Sequence, residues 1–144
     1  MRANVDNRRA SYALSRVRSI KNKADARARK AQAARAIALI RNAGLLKALS
    51  FIKSNSNLRE IFEDILGWLE KSNEKDGPQL QVGVKAYAKE KTLVDYVAGL
   101  DSHLEYIRVL NEVIAVLEHI KLMAEGQKNT LYSLPDTSAG DDHA

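Results

Sequence analysis

The sequence predicts an all-α protein, a compact single-domain bundle of five to six helices. Apolar residues recur at i, i+3, i+4 and i+7 through most of the chain, the period of a helix with one buried face. Helix start and stop signals, mainly Asn, Ser and Gly, separate these runs at short intervals. The 144 residues suit one domain and are enough to bury a core. The predicted organisation is a helical domain over 1–132, with a basic amino-terminal helix, and a disordered polar tail over 133–144.

Ala10, Ala13, Leu14, Val17, Ile20 and Ala24 predict an amphipathic helix over 8–24. Arg2, Arg9, Arg16, Lys23 and Lys30 recur every seven residues and would form a drifting basic ridge beside it, with only Asp25 placed to neutralise it. Residues 21–32 contain no large apolar side chain; their alanines favour helix, and a mobile basic loop fits equally well. A helix over 31–43 is anchored by Ile37, Leu39 and Ile40, with Gly44 at the position of a left-handed cap. Leu45, Leu46, Leu49, Phe51 and Ile52 are dense enough to predict a nearly buried helix. Residues 54–57 read as a turn. Asn57 is the expected cap of the next helix, with Glu60 three residues on; Leu58, Ile61, Phe62, Ile65, Leu66 and Leu69 form its stripe. Trp68 lies beside that stripe, free to pack inward or to face a partner, and Gly77-Pro78 stops the following loop. Alternating Leu80, Val82 and Val84 suggest a short strand, and Tyr87 and Ala88 a short helix; an irregular connection is assigned. Thr92 is a candidate cap for a short helix over 93–100. Ser102 and Glu105 form a capping box for a long helix to about Ala124, closed by Gly126.

Charge is the strongest bulk signal. The net charge is +5, but residues 1–53 carry 14 basic and two acidic residues, a net +12, while residues 54–144 carry 9 basic and 16 acidic, a net −7. Such asymmetry points to a polyanion, nucleic acid before anionic membrane. Cysteine is absent, which excludes disulfides, thiolate metal sites and a cysteine nucleophile and fits a reducing, cytoplasmic setting. No apolar run approaches the roughly 18–20 residues needed to span a bilayer. His103, His119 and His143 are too dispersed for a metal site, and no phosphate loop, nucleophile elbow or dinucleotide fingerprint is present. Glu60, Glu63 and Asp64 read as solvent-facing charge. The expectation is therefore a protein that is not an enzyme, with no cofactor, metal, membrane or small-molecule substrate.

The candidate nucleic-acid-binding residues are Arg9, Arg16, Arg18, Lys21, Lys23, Arg35, Arg41, Lys47 and Lys53, with Arg16, Lys23 and Arg41 foremost. Lysine and arginine neutralise phosphates without reading sequence. Of the five tyrosines, Tyr12 alone coincides with clustered arginines and is the candidate for stacking on a base.

The order of motifs resembles a known family. S-Y-A-L-S-R-V-R (11–18) is followed by I-A-L-I-R-N-A-G-L-L-K-A-L-S-F-I (37–52), with Gly44-Leu45 and then Ala48-Leu49-Ser50-Phe51. An amphipathic helix ending in Trp68-Leu69 comes next. The last run contains Tyr106 and Arg108, then Lys121 and Ala124-Glu125. Over most of 8–125 this is similar to the small helical subunit of the type III-B CRISPR effector, the Cmr complex. The resemblance implies an all-α, non-catalytic protein of antiviral defence that stacks along a ribonucleoprotein filament. Its implied partners are guide RNA and target RNA, contacted through the backbone, the CRISPR backbone and large subunits, and other copies of itself. Two alternatives stay open: a protein–protein adaptor whose basic half docks the acidic half of a neighbouring copy, and another small helical nucleic-acid binder such as the type III-A counterpart.

Overall fold

A computed structural model describes residues 5–71, 93–100 and 102–132. These residues form six helices: α1 (Val5–Val17), α2 (Lys23–Ala43), α3 (Leu45–Ser54), α4 (Arg59–Glu70), α5 (Leu93–Ala98) and α6 (His103–Tyr132), with a 3₁₀ turn at Ser56–Leu58. No strand occurs among the described residues. The alternation at Leu80, Val82 and Val84, the Tyr87 and Ala88 reading, the Gly77-Pro78 stop, the Thr92 cap and the tail lie outside them.

The 30-residue α6, about 45 Å long, is the axis of the bundle. Its most extensive contact is with α2, followed by α1. Chain order then lays α3 and α4 against α2, and α5 against α3. Ala13 and Val17 of α1, Ala33, Ala36 and Ile40 of α2, and Val109, Val113, Leu117 and Ile120 of α6 meet in one core with Leu49, Ile52, Ile61 and Ile65. Each such large aliphatic side chain contributes about 1.5–3 kcal/mol by leaving water. Trp68 is fully buried and stacks obliquely on Tyr12, ring centroids 5.2 Å apart, which settles its orientation inward.

Several boundaries differ from the sequence expectation, each for a local reason. The first helix stops at Val17 instead of running to residue 24, and a new one starts at Lys23. Asn22 caps it: its Oδ1 accepts from the Asp25 amide at 2.8 Å, and its Nδ2 donates to the Asp25 carboxylate at 3.0 Å. Ala24, expected in the stripe, is exposed. The basic stretch 21–32 is helix rather than loop from Lys23 onward, because its alanines serve as a packing face: Ala26 and Ala33 have no exposed surface. Gly44 ends α2 with its amide donating to the Ile40 carbonyl at 2.9 Å, yet at φ 88°, ψ 164° it is not left-handed helical. That region is essentially restricted to glycine, and it turns the chain straight into α3. Helix α3 is one-sided rather than nearly buried, with Leu46 and Phe51 at 36% and 42% exposure. Asn55, not Asn57, supplies the turn before α4, accepting from the Asn57 amide at 3.0 Å. Ser102 does cap α6 through the Glu105 amide (3.2 Å), but α6 runs through Gly126 to Tyr132.

Candidate nucleic-acid interface

The cations of the first half divide into two groups. One group pairs with acids of the same chain, mostly from the second half. Arg9 donates from Nε and Nη2 to the two Glu112 oxygens, both at 2.8 Å, and from Nη1 to Asp6 at 3.0 Å. Glu112 also accepts from the Trp68 indole at 2.9 Å, so one buried carboxylate ties α1, α4 and α6. Arg16 and Arg29 converge on Asp64, at 2.7 and 3.1 Å. Lys30 reaches Glu125 at 2.7 Å, and Arg41 reaches Glu118 at 3.0 Å. His119 faces Asp6 at 3.2 Å. Three members of the ridge that seemed to lack acids, Arg9, Arg16 and Lys30, are therefore neutralised by acids 48 to 103 positions away.

Asp64 contradicts its reading as solvent-facing charge: it has no exposed surface, although Glu60 and Glu63 beside it are exposed. Burial pushes its carboxyl above the usual range, and the two guanidiniums oppose that shift. Tyr12, the candidate base-stacking residue, is likewise core. Its hydroxyl donates to the Asp64 carbonyl at 2.7 Å, and burial raises its pKa strongly.

The second group of cations faces outward. Arg18, Lys21, Arg35, Lys47 and Lys53 are exposed and form no ion pair among the described residues; Arg59, absent from the sequence candidates, joins them. Lys23 is half-buried and engaged, and Arg41 is exposed but paired with Glu118. Of the nine sequence candidates, Arg9 and Arg16 thus hold the fold together. Arg35 lies over the Phe51 ring, 5.4 Å from its centroid, and it shares a groove of about 610 Å³ with Arg59. Lys47 and Lys53 are exposed on α3. Arg18 and Lys21 lie in the α1–α2 connection, about 20 Å from Arg35 along α2. No motif singled out Arg59; the stripe of Ile61, Ile65 and Leu69 is the signal that turns position 59 outward. No group of three or more metal-ligating side chains occurs among the described residues, and no described helix is long and apolar enough to cross a membrane.

Fold and surface together define a small all-α protein locked by internal ion pairs, with uncommitted cations on α2 and α3. The family model described as CRISPR-associated protein (Cas_Cmr5) matches residues 5–127. The chain belongs to that family, the small subunits of the type III-B CRISPR effector, and is a Cmr complex subunit. No curated protein and no solved structure gives a significant match to it.

Proposed function

We propose that the chain is a non-catalytic, cytoplasmic subunit that stacks along the type III-B filament and holds the guide–target RNA by its backbone, in antiviral defence. The observation that carries this reading is the division of the cations. Those needed for folding are paired, and Arg18, Lys21, Arg35, Lys47, Lys53 and Arg59 are left toward solvent. Phosphates are the complementary ligand for such a surface, and contact with them is independent of sequence.

Contacts with neighbouring subunits have their own support. Among the described residues, Leu104 and Leu122 on α6 are the most exposed large apolar side chains, at 59% and 63%. Eighteen residues make five helical turns, so both lie on one face, about 27 Å apart. The stripe between them carries Arg108, Asn111 and Glu118, so the two leucines are separate apolar anchors on a polar face, which suits a mixed lateral contact with another protein. The adaptor alternative keeps this support, but part of the charge complementarity it invoked is already consumed within the chain.

The test is purification of the tagged full-length chain from its native host. Recovery with guide RNA and the other Cmr subunits is the expected result. Recovery of the chain alone, under low-salt conditions that preserve such complexes, would contradict the proposal.

A further inference from the structure

The groove between α2 and the turn leading into α4 is more than a basic strip. Its floor is aliphatic, formed by Ala28 and Ala31 of α2 and by Leu58. The alanines recess the helix surface, which gives the groove its depth. Gln32 lies on the same wall, one turn before Arg35, and its Oε1 is buried with no hydrogen-bond partner among the described residues. Buried amide oxygens are normally satisfied; this acceptor lacks a partner among those residues and meets a ligand only when the Gln32 side chain turns into the groove. Arg35 closes one end, its guanidinium 5.4 Å from the centroid of the half-exposed Phe51, which lies just beyond the groove lining. Glu60 at the rim lies 3.7 Å from Arg29, which offsets its charge.

We infer that this groove receives an unpaired nucleobase of a single RNA strand, stacked on the Arg35–Phe51 pair, with the Gln32 amide on its polar edge. A phosphate site would need cations and no apolar floor. A peptide anchor would have no use for a flat cation–aromatic stack. An unpaired base uses all three features: a planar face for the guanidinium, an apolar body for the alanines and Leu58, and donor and acceptor atoms for an amide. The groove volume lies in the range of small-ligand pockets. The inference rests on RNA as the partner, and adds to backbone contact a site that distinguishes single strands from duplexes.

The test measures binding of the full chain to a short oligoadenylate and to a blunt RNA duplex of equal length, by fluorescence anisotropy at several salt concentrations. Phe51→Ala and Gln32→Leu leave the net charge unchanged; Phe51 is exposed, and Gln32, which is partly buried, is replaced by a side chain of similar size. Each is expected to weaken single-strand binding roughly tenfold, the scale of one lost base stack, with the salt slope and duplex affinity unchanged. Wild-type binding that neither substitution alters would overturn the base site and leave backbone recognition standing. Equal losses on strand and duplex would also overturn it, because a duplex offers no free base. Failure of the wild-type chain to bind either RNA, even at low salt, would remove both readings.

Discussion

Asp64 shows how much of this fold turns on single side chains. A carboxylate without exposed surface is held by Arg16 and Arg29, which come from different helices. Removing one member of such a group leaves the others desolvated and unpaired. Asp64→Ala is therefore expected to cost about 2–4 kcal/mol, lowered from the fully buried case because Arg16 keeps 39% of its side chain in water. Urea unfolding checks it, as a lower midpoint with an unchanged slope. Gly67 is the companion case. A Cβ there would stand 2.5 Å from the Tyr12 hydroxyl, which is fixed on the Asp64 carbonyl. Gly67→Ala should cost about 1–3 kcal/mol. In a double-mutant cycle Tyr12→Phe should recover part of it, because the clashing oxygen is gone. Acid acts at the same scale. Hydrogen bonds from His119 and Arg9 hold Asp6 below the usual carboxylate range, and those from Lys30 and Lys128 do so for Glu125. A depressed pKa contributes stability that is present above the unfolded value and lost as pH falls through the folded one. Asp64, shifted upward, has the opposite sign. Thermal melts followed by circular dichroism should show the midpoint falling from about pH 4 down to about pH 2, with a smaller fall in Asp6→Asn. Apart from the i,i+3 pairs of Asp6 with Arg9 and of Glu125 with Lys128, none of these partnerships was legible in the sequence. Periodicity placed Asp64 next to the stripe of α4, but nothing local identifies partners 35 and 48 residues away.

At the scale of elements, the helices themselves were legible because their stripes are strong. Ile61, Ile65 and Leu69, or Val113, Leu117 and Ile120, announce a buried face without help from the rest of the chain. Boundaries were less so. The Asn22–Asp25 cap is visible as a pattern, yet the apolar spacing of Val17, Ile20 and Ala24 runs straight across it and hides the break. Helix α2 escaped detection as a single 21-residue unit because its first half packs with alanine, whose small surface carries little periodic signal. Gly126 reads as a stop, but α6 passes through it; a Cβ there would meet nothing within 4 Å, and one glycine costs only about 1 kcal/mol in a helix with this much tertiary contact. Gly44 is different. Its nearest neighbour to an added Cβ is the Tyr106 hydroxyl at 3.7 Å, so space is available and only the backbone forbids a side chain. Gly44→Ala is therefore expected to lower stability by about 1–3 kcal/mol through strain alone. The same hydroxyl accepts from the Leu45 amide at 3.1 Å, so α6 also holds the start of α3. Calorimetric unfolding of Gly44→Ala checks the magnitude, and an unchanged midpoint would mean that the turn relaxes freely.

For the whole molecule, the two oppositely charged halves are the organising fact. The sequence displays the +12 and −7 totals openly. It does not say which cations face inward, since that depends on how α6 lies against α1 and α2. The acids at Glu112, Glu118 and Glu125, six and then seven residues apart on α6, meet Arg9, Arg41 and Lys30. Folding thus selects, from a uniformly basic first half, the few cations that remain for a partner. Two of those ranked foremost from sequence, Arg16 and Arg41, are paired internally, whereas Lys47 and Lys53 on α3 are not. The most direct measurement is the salt dependence of RNA affinity for the Lys47→Glu/Lys53→Glu variant against the unchanged chain. If these lysines meet phosphates, affinity falls for every RNA sequence and the slope of log K against log salt becomes shallower by about 1–2. An unchanged affinity and slope, in a variant that melts at the same temperature, would contradict the account.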